Sequence, residues 1–596
     1  MGLPANFKIP GVYTSFDRNT DPGGIAPNNR LILWGIVPPA APVTLNTPFL
    51  ATGARQVEQK CLSYAQLTRQ YKAAKSALPA GVGAEVYLVP VAEPSGGTKA
   101  VHPITFIASP AFDTTGKGWI LGTNITALAD TQCEIDIGGQ IVRFAIPSGT
   151  LITDIGPLAD AACDLVPDLV VVATSAGAVL TLTDRLKGEH GNDLPIRVSF
   201  SNPAAGISAS PGTITLATDA GADGTITFSA DDLDAVASIV NGDTPALAAP
   251  KLRDAINGDT FPLRAACADP VSGVVTLYYV DDAHTHRLSV SDNITGMTST
   301  GAFGTAGAGV PSLTAALTKL TGDSTAYKVW CYPGSDAASA GAIATHVVAQ
   351  DATPIEKGQT VHFGLSGRLP ASVASGLTDS TTPKLFSSEL FVVHHQPGAV
   401  VRAAELAARA AAIVAAEEFQ GRNFNGRRLV GTETMPLGTP HRMHWPTLDQ
   451  LNTAITTFCY SPVVVDSQGY NAILRSTTTF KSAGPIQDKL TKWSGALIPI
   501  YFRASLRVRL AAIFKEKNLK QFSEPQTTNA AGLKGVKSEI FTLMMGWDAM
   551  DLYDGAEGMK DAIKVGVKVT PTRVNVEMPF RNVADLDQID IDAYQA

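Results

Sequence analysis

The stretch from Trp445 to Phe480 is the part of the chain whose sequence most restricts its local structure. A helix is predicted to begin after Pro446, because Thr447 and Gln450 have the spacing of a capping box. Apolar residues then recur at helical spacing, at Leu448, Leu451, Ile455 and Phe458. Ser461-Pro462 ends this helix, because the residue before a proline avoids the helical region.

A hairpin is predicted directly after the helix. Val463–Val465 forms a β-branched strand, Ser467–Gly469 supplies a turn, and Tyr470–Phe480 returns as the second strand. The second strand carries the run Arg475–Phe480, which consists of an arginine, a serine, three threonines and a phenylalanine. Helix followed by hairpin is therefore the expected local structure, and nothing in it has the composition of a catalytic site.

This series of motifs resembles one family, the contractile-tail sheath proteins of myophages, and especially those of the Mu-like kind. Arg422–Asn425 leading to Leu429–Thr432 is similar to the segment that precedes the helix in that family. Ile9–Tyr13 resembles the start of the sheath chain, and Lys187–Asp193 resembles a further Mu-type segment. The order of these motifs and the gaps between them carry the resemblance, which covers the N-terminal start and most of residues 325–596.

The resemblance implies a structural subunit that polymerises around a tail tube and contracts to drive the tube through the host cell envelope. Its implied partners are copies of itself, stacked as hexameric rings in a helical sheath, together with the tail tube protein and the baseplate and tail terminator proteins. Neither nucleic acid nor direct membrane insertion is implied. The implied location is the virion tail, with assembly in the host cytoplasm.

Length and composition are consistent with such a subunit. A chain of 596 residues is too long for one core, so two to four domains are expected. Charged residues make up 17% of the chain, below the usual share of about 25%, as suits a subunit whose surface is largely covered by its own copies. The formal net charge of −8 argues against a nucleic-acid coat.

The cysteines are scattered and form no CxxC pair, so we expect them to be small core residues in a reducing compartment. The chain opens with no cationic segment followed by an apolar run, and it holds no apolar stretch of membrane-spanning length. We therefore expect a protein made in the cytoplasm and not exported by a signal peptide.

The predicted fold class is α/β and α+β multidomain: a discontinuous α/β sheath core with extended terminal arms and a β-rich inserted region. The alternation of strand, helix and strand before residue 110 and again after Tyr327 indicates α/β packing. The predicted parts are an N-terminal arm (1–30), the first part of the core (31–110), the insert (111–320), the second part of the core (321–570) and a C-terminal arm (571–596).

A weak internal repeat predicts that the insert consists of two tandem small α+β units. The segments that begin at Ser148 and Asn241 share the order turn, short helix, strand, tight turn and strand. The helices are expected at Leu158–Cys163 and Leu252–Ile256.

The sequence offers no catalytic constellation. It lacks a GxxxxGK[ST] loop and a GxSxG elbow, and Ala173–Gly177 is better explained as a hairpin turn. The histidine pairs are expected to be structural; they are His284 and His286, His394 and His395, and His441 and His444. We therefore expect no enzymatic activity, no cofactor and no metal.

Both chain ends are extended and lie outside the compact modules, so they are predicted to pair with neighbouring subunits by strand addition. The predicted contact residues are Ile9, Val12, Tyr13, Val574, Val576, Met578, Ile589 and Ile591. The alternative is that both ends pair within their own subunit.

Basic residues greatly outnumber acidic ones between Lys481 and Lys520, against an acidic background. A helix predicted at Tyr501–Lys520 would place basic side chains near one side, and this side is the candidate tube-facing element. Its candidate residues are Arg503, Arg507, Arg509 and Lys515. The alternative is a solvated helix face.

Two further functions are compatible with the sequence. The sheath of a phage-derived bacteriocin or injection system has the same expected features. A carbohydrate-binding or adhesive surface protein built around the insert is the alternative from another class, and it predicts an export signal.

Overall fold

The computed structural model describes most of the chain, and all structural statements below refer to these residues. They are 29–78, 84–115, 118–230, 233–258, 261, 263–269, 271–279, 284, 288–323, 327–334, 337–351, 358–365, 388–417, 422–432, 437–480, 491–514, 518–520, 530–567, 574–579 and 581. The predicted contact residues Ile9, Val12, Tyr13, Ile589 and Ile591 therefore lie outside the described part, as does Lys515.

The strands of the first half of the chain are β1 Arg30–Val37, β2 Phe49–Leu50, β3 Glu85–Ala92, β4 Val101–Ala108, β5 Ala111–Asp113, β6 Gly118–Ile120, β7 Thr131–Ile137, β8 Gln140–Ile146, β9 Val171–Ala176, β10 Val179–Asp184, β11 Ile196–Phe200, β12 Ile207–Ser210, β13 Thr213–Ala217, β14 Gly224–Ala230, β15 Leu233–Ile239, β16 Leu263–Cys267, β17 Val274–Tyr279, β18 Leu288–Asp292 and β19 Thr298–Ala302. Those of the second half are β20 Val329–Tyr332, β21 Thr360–Leu365, β22 Phe391–His395, β23 Ser461–Val465, β24 Asn471–Ile473, β25 Asn518–Lys520, β26 Ala530–Gly532, β27 Lys564–Val567 and β28 Val574–Glu577.

The α-helices are α1 Ala54–Cys61, α2 Gln66–Ser76, α3 Ile152–Asp164, α4 Pro245–Gly258, α5 Thr314–Gly322, α6 Ala337–Asp351, α7 Ala403–Ala416, α8 Leu448–Thr456, α9 Trp493–Phe514 and α10 Leu533–Asp548. Short 3-10 helices lie at Glu189–Asp193, Pro203–Ala205, Arg442–His444 and Glu557–Ala562.

A largely parallel sheet forms the centre of the core, in the order β2-β3-β1-β20-β21-β22-β23-β24. The strands from β3 to β23 are parallel, and β2 and β24 are antiparallel at the two ends. Leu31–Trp34 in β1 is fully buried, as expected for a parallel strand covered on both faces. Alternate residues of β1 belong to different apolar clusters, one with α1, α2 and α7 and the other with α5 and α6.

Helix α7 is the most deeply buried helix of the core. All of its residues are buried, because its alanines allow it to lie close against the sheet and against α2. At Gly364 in β21, a Cβ atom would lie 2.1 Å from the Ala403 carbonyl oxygen, so only glycine permits this approach. The sequence predicts a longer helix over 399–420, but Arg402 is extended and α7 begins after it.

The inserted region forms several sheets around one continuous apolar cluster, and their strand pairs are antiparallel except for β6 with β16. Helix α3 packs against β4, β8 and β9, and helix α4 packs against β15 and β16. These helices contain the predicted segments Leu158–Cys163 and Leu252–Ile256. Each helix lies on its own set of strands, and the two sets share one apolar core. The division of the insert into two tandem units stays a prediction.

The boundaries of the insert differ from those predicted. Strand β4, which the sequence analysis places in the core, pairs with β10 and β12 of the insert. Helix α5, which it places in the insert, packs against the core sheet through Ala316 and Leu320. The chain enters and leaves the insert side by side, because Thr98 and Ala308 form an antiparallel bridge. The structural insert therefore spans about 98–308, and composition alone does not mark these ends.

The last part of the chain has a small apolar cluster of its own between α9 and α10. Phe502 and Trp547 stack there with their ring centroids 4.0 Å apart. Strands β27 and β28 form a hairpin whose side chains pack against this cluster. The predicted core segment 321–570 therefore contains a second packing unit.

Candidate functional site

The helix and hairpin of Trp445–Phe480 lie at one end of the core sheet. The capping box is confirmed, because the Gln450 backbone N–H donates to Thr447 and the Thr447 N–H donates to the Gln450 side chain. Strand β23 joins the sheet beside β22, and β24 turns back against β23. The predicted apolar face is buried mainly at its C-terminal end: Phe458 is buried, whereas Leu448 is 84% exposed.

The run after β24 is not the long second strand that the sequence predicts. Strand β24 ends at Ile473, and the following polar side chains connect separate segments instead. Ser476 is hydrogen-bonded to the Asn425 side chain, and the Thr479 hydroxyl donates to the Ser388 carbonyl. The Trp493 indole N–H donates to the Thr477 carbonyl at 3.1 Å. The serine and threonines therefore connect the loop before β22, the loop near Asn425 and the start of α9.

A pair of histidines lies beneath this run. His362 in β21 and His394 in β22 are hydrogen-bonded ring to ring at 2.8 Å, and both pack edge-on against Trp493. Burial lowers the pKa of His394 to about 3, and burial together with His394 lowers the pKa of His362 well below 6.5. Both imidazoles are neutral at pH 7, so the pair acts as one donor and one acceptor inside the core.

Buried charges join the core to the insert. The Arg69 guanidinium in α2 donates to Glu405 of α7 at 2.6 Å and to the Gly138 carbonyl of the insert at 2.9 Å. Arg402, just before α7, is paired with Asp184 of β10. Although burial raises the pKa of the Asp184 carboxyl, the Arg402 charge and the nearby His190 hold that pKa below its usual value.

A cleft opens at this joint, at the carboxyl ends of β1 and β20. Gly35 and Ile36 line it from β1, Tyr332 from β20, and Glu189 and His190 from the insert. The sequence does not reveal this cleft, because its walls come from segments far apart in the chain. The wall from the insert belongs to Lys187–Asp193, which the sequence singles out only by its resemblance to a Mu-type segment.

Helix α9 carries the candidate tube-facing residues. Arg503 is exposed, whereas the Arg509 guanidinium donates to Glu539 of α10 at 3.0–3.1 Å. The side chain of Arg507 is outside the described part of the structure. Arg509 therefore holds α9 against α10 within the subunit, and tube contact by this helix stays a prediction.

The described start of the C-terminal arm is paired within its own subunit. Val574–Glu577 is β28, and Val576 and Met578 are partly buried against the α9–α10 cluster. Pairing within the subunit is the alternative that the sequence leaves open beside pairing with a neighbouring subunit. The physical reason for the pairing within the subunit is that Val576 lies opposite Val565 in the hairpin, and the two side chains bury apolar surface together. Contact of Val574, Val576 and Met578 with a neighbouring subunit stays a prediction.

The cysteines and the Ala173–Gly177 turn have structural roles. All six cysteines are free and buried, as predicted for small core residues. Ala173–Gly177 does form the end of β9 and a tight turn, with Gly177 at φ 60°. Within the described ranges, no three His, Cys, Asp or Glu side chains converge as a metal-binding group. Among the helices that the structure describes, none combines the length and hydropathy needed to cross a bilayer.

Comparison with known proteins gives structural likenesses only. No family model and no curated protein matches the sequence. A sheath tail protein from Desulfitobacterium hafniense is similar in structure, with a TM-score of 0.42 and 12% identity over 95% of each chain. A chain of the anti-feeding prophage baseplate has a TM-score of 0.34 and 13% identity, over 47% of this chain and 73% of its own.

A chain of the contracted PVC sheath complex, from an extracellular contractile injection system, has a TM-score of 0.33 and 13% identity. The likeness covers 45% of this chain and 71% of the other. At this identity and TM-score, the likeness by itself does not assign a function to the chain.

Proposed function

We propose that this chain is the structural subunit of a contractile tail sheath. On this proposal it polymerises helically around a tail tube and shortens to drive the tube through a cell envelope. The observation that carries the proposal is the ordered series of sheath-like motifs, whose helix, valine strand and turn fold as one module at the end of the core sheet. The virion tail is the proposed location, and the assembly has no catalytic role.

The buried polar run after β24 supports a role in transmitting force between subunits. Its hydrogen bonds connect four segments: the loop before β22, the Asn425 loop, the module and α9. A subunit that transmits force between neighbours needs its motifs to be fixed to the central sheet. Buried hydrogen bonds provide that rigidity, because leaving their donors unsatisfied costs about 1–3 kcal/mol each.

The hairpin β27–β28 is the proposed acceptor for a neighbour's terminal arm. It pairs only four residues on each strand. Each outer edge of this short hairpin offers backbone donors and acceptors to another strand. No third strand pairs with it among the described residues. A strand from a second copy would complete this sheet in a head-to-tail contact, which propagates as a ring or helix.

The proposed partners are further copies of this chain in stacked hexameric rings, the tail tube protein, and the baseplate and terminator proteins at the two ends. Exposed Arg503 is the described candidate for tube contact. Helix α9 also carries Arg507, whose sequence position gives it the same proposed role.

Electron microscopy of the purified chain in negative stain tests the proposal directly. Wild-type protein is expected to form tubes or rings. Deletion of residues 1–20 is expected to leave a soluble monomer with wild-type melting behaviour that forms neither, because the proposed donor strand is removed. A matched control carries Leu128→Ser on the insert surface, where the side chain is 61% exposed, and should still assemble. Monodisperse wild-type monomers under all assembly conditions would contradict the proposal.

A further inference from the structure

A cavity lies in the insert, where three of its sheets meet. His102 of β4 lines it from one sheet, Tyr279 of β17 from another, and Ser289 of β18 from the third. The volume of the cavity is about 640 Å3, within the usual range of about 300–1,000 Å3 for ligand pockets. The cavity therefore has room for a small organic ligand, and the proposed sheath function does not use it.

Hydrogen bonds fix the rim of the cavity. The Val101 N–H donates to the Thr305 carbonyl at 2.8 Å, and the Thr305 N–H donates to the Val101 carbonyl at 3.0 Å. Beside them, the Asn192 side chain donates to the Gly307 carbonyl and accepts from the Gly307 N–H. At Gly304, φ is 101° and a Cβ atom would lie 2.0 Å from the Val101 carbonyl oxygen, so only glycine permits this turn. A rim formed in advance reduces the entropy that a ligand must lose on binding.

The apolar part of the cavity wall is largely aromatic. Tyr279 and Phe303 both line the cavity, and Phe303 packs against Phe228 with their ring centroids 6.0 Å apart. The aliphatic side chains of the wall are Val101, Ile196, Leu288 and Val290. Because the face of an aromatic ring is electron-rich, it attracts polarised C–H groups as well as apolar surface.

The polar groups of the cavity include a histidine with one unused nitrogen. The Nε2 atom of His102 lies 3.1 Å from the Gly191 carbonyl oxygen. A carbonyl oxygen only accepts, so Nε2 carries the ring proton and Nδ1 is an acceptor. Among the described residues, no group donates a hydrogen bond to this Nδ1. At the mouth of the cavity, the exposed hydroxyls of Ser289 and Thr305 both donate and accept.

The charge of the cavity restricts the kind of ligand. The lining that the structure describes contains no Asp, Glu, Lys or Arg. Burial lowers the pKa of His102, so its imidazole is neutral at pH 7. An ionised ligand would lose its water without gaining a counter-charge, and a purely apolar ligand would leave the His102 acceptor unpaired. The cavity therefore favours an uncharged ligand that has both hydroxyl groups and C–H surface.

We propose that this cavity binds an uncharged saccharide of one or two sugar units. Hydroxyl groups of the saccharide form hydrogen bonds with His102 Nδ1, Ser289 and Thr305. Its C–H surface lies against Tyr279 and Phe303. The saccharide is either a free sugar or a unit of a polysaccharide, and the site goes beyond the proposed sheath function.

Titration calorimetry of the full chain with cellobiose, maltose and N,N′-diacetylchitobiose tests the ligand class. At least one of these neutral disaccharides is expected to bind with a Kd of about 1 mM or below. The same disaccharide with its C6 groups oxidised to carboxylates should bind more than tenfold more weakly, because the described wall offers no counter-charge. The proposal is overturned if none of the three disaccharides binds, or if the oxidised form binds as tightly as the neutral one.

A tryptophan at the mouth of the cavity tests the location of the site. Ser289→Trp fills the mouth and should abolish disaccharide binding. Ser238→Trp is the matched control and should not change binding, because Ser238 is an exposed serine on β15, the other edge strand of the same sheet. Equal binding by the wild type and Ser289→Trp would place the saccharide elsewhere and refute the proposal.

A second variant tests the aromatic wall without blocking the mouth. Phe303→Leu keeps an apolar side chain but removes the ring, and it should weaken disaccharide binding about fivefold. Phe144→Leu is its control, because Phe144 is also partly buried against the apolar cluster of the insert but does not line the cavity. A cooperative melting transition establishes that each variant is folded. If the two leucine variants bind equally well, the ring of Phe303 does not contact the ligand and the proposed site is wrong.

Co-sedimentation with the matching insoluble polymer identifies the source of the saccharide. The polymer is cellulose, amylose resin or chitin, according to which disaccharide binds. If the wild type sediments with it and Ser289→Trp does not, the site takes sugar units within a polysaccharide. If only the disaccharide binds, the ligand is a free sugar. Calorimetry does not require assembly, so failure of the cavity proposal and failure of the proposed sheath function are distinguishable.

Discussion

At the scale of single residues, the buried charges between α7, α2 and the insert are the most consequential contacts. Arg69, Glu405, Arg402 and Asp184 are all nearly inaccessible to solvent. Desolvation of such ions costs several kcal/mol each, and only good pairing offsets it. We therefore expect this pair to contribute geometric specificity, by favouring one position of the insert on the core, more than net stability.

Breaking this pair on one side is expected to cost more than replacing both partners. Asp184→Asn leaves Arg402 buried without a counter-ion and should lower the free energy of unfolding by about 3–5 kcal/mol. The double variant Asp184→Leu with Arg402→Met removes both charges. Its free energy of unfolding should fall by less than half as much as that of Asp184→Asn. Urea denaturation measures both variants. Equal losses in the single and double variants would show that the residues stabilise the fold independently of each other.

The histidine pair predicts a loss of stability in acid. His362 and His394 have pKa values lowered by burial, so the unfolded chain binds protons near pH 6.5 that the folded chain does not. Their stabilising effect is present above that pH and is lost as the pH falls from 6.5 towards their folded values. Each such histidine contributes a slope of up to about 1.4 kcal/mol per pH unit.

Denaturant unfolding at several pH values between 7 and 5 measures this slope. His394→Gln should reduce it, because one buried group no longer takes up a proton on unfolding. An unchanged slope in His394→Gln would mean that other groups cause the acid sensitivity. The sequence identifies His394 as structural, but it does not reveal His362 as its partner, because the two lie on different strands.

At the scale of secondary-structure elements, local chemistry explains which predictions were confirmed. The capping box at Thr447, the turn at Gly177 and the buried strands β1 and β3 depend on neighbouring residues, and they are confirmed. The prediction of a second strand that extends to Phe480 is wrong. The serine and threonine hydroxyls there form hydrogen bonds with distant segments, and the backbone does not continue the pairing with β23.

The cap of α8 gives a direct test at this scale. Thr447→Ala removes the acceptor of the Gln450 N–H and should lower the free energy of unfolding by about 1 kcal/mol. Thr453→Ala, at an exposed position inside the same helix, should change it by less than about 0.5 kcal/mol. Both are measured by urea denaturation. If the two variants are equally stable, the cap does not contribute to folding.

At the scale of the whole molecule, the insert is connected to the core like a domain placed in a loop. Its two connecting segments run antiparallel, with the Thr98 N–H donating to the Ala308 carbonyl at 2.9 Å. Its apolar cluster is separate from the two clusters of the core sheet. Domains joined in this way, with their ends close together, tolerate removal of one without loss of the other.

The core is therefore expected to fold without residues 98–308. Gly97 and Gly309 are joined through a two-residue linker, which the short distance between the chain ends permits. The product should be soluble, show a cooperative thermal transition and resist proteolysis, and the isolated segment 98–308 should do the same. The matched control removes 115–318 instead: it leaves β4 without β10 and β12 and takes part of α5 from the core. That protein should aggregate, because both defects expose apolar surface. If the two deletions behave alike, the bridge between Thr98 and Ala308 does not mark the boundary of the insert.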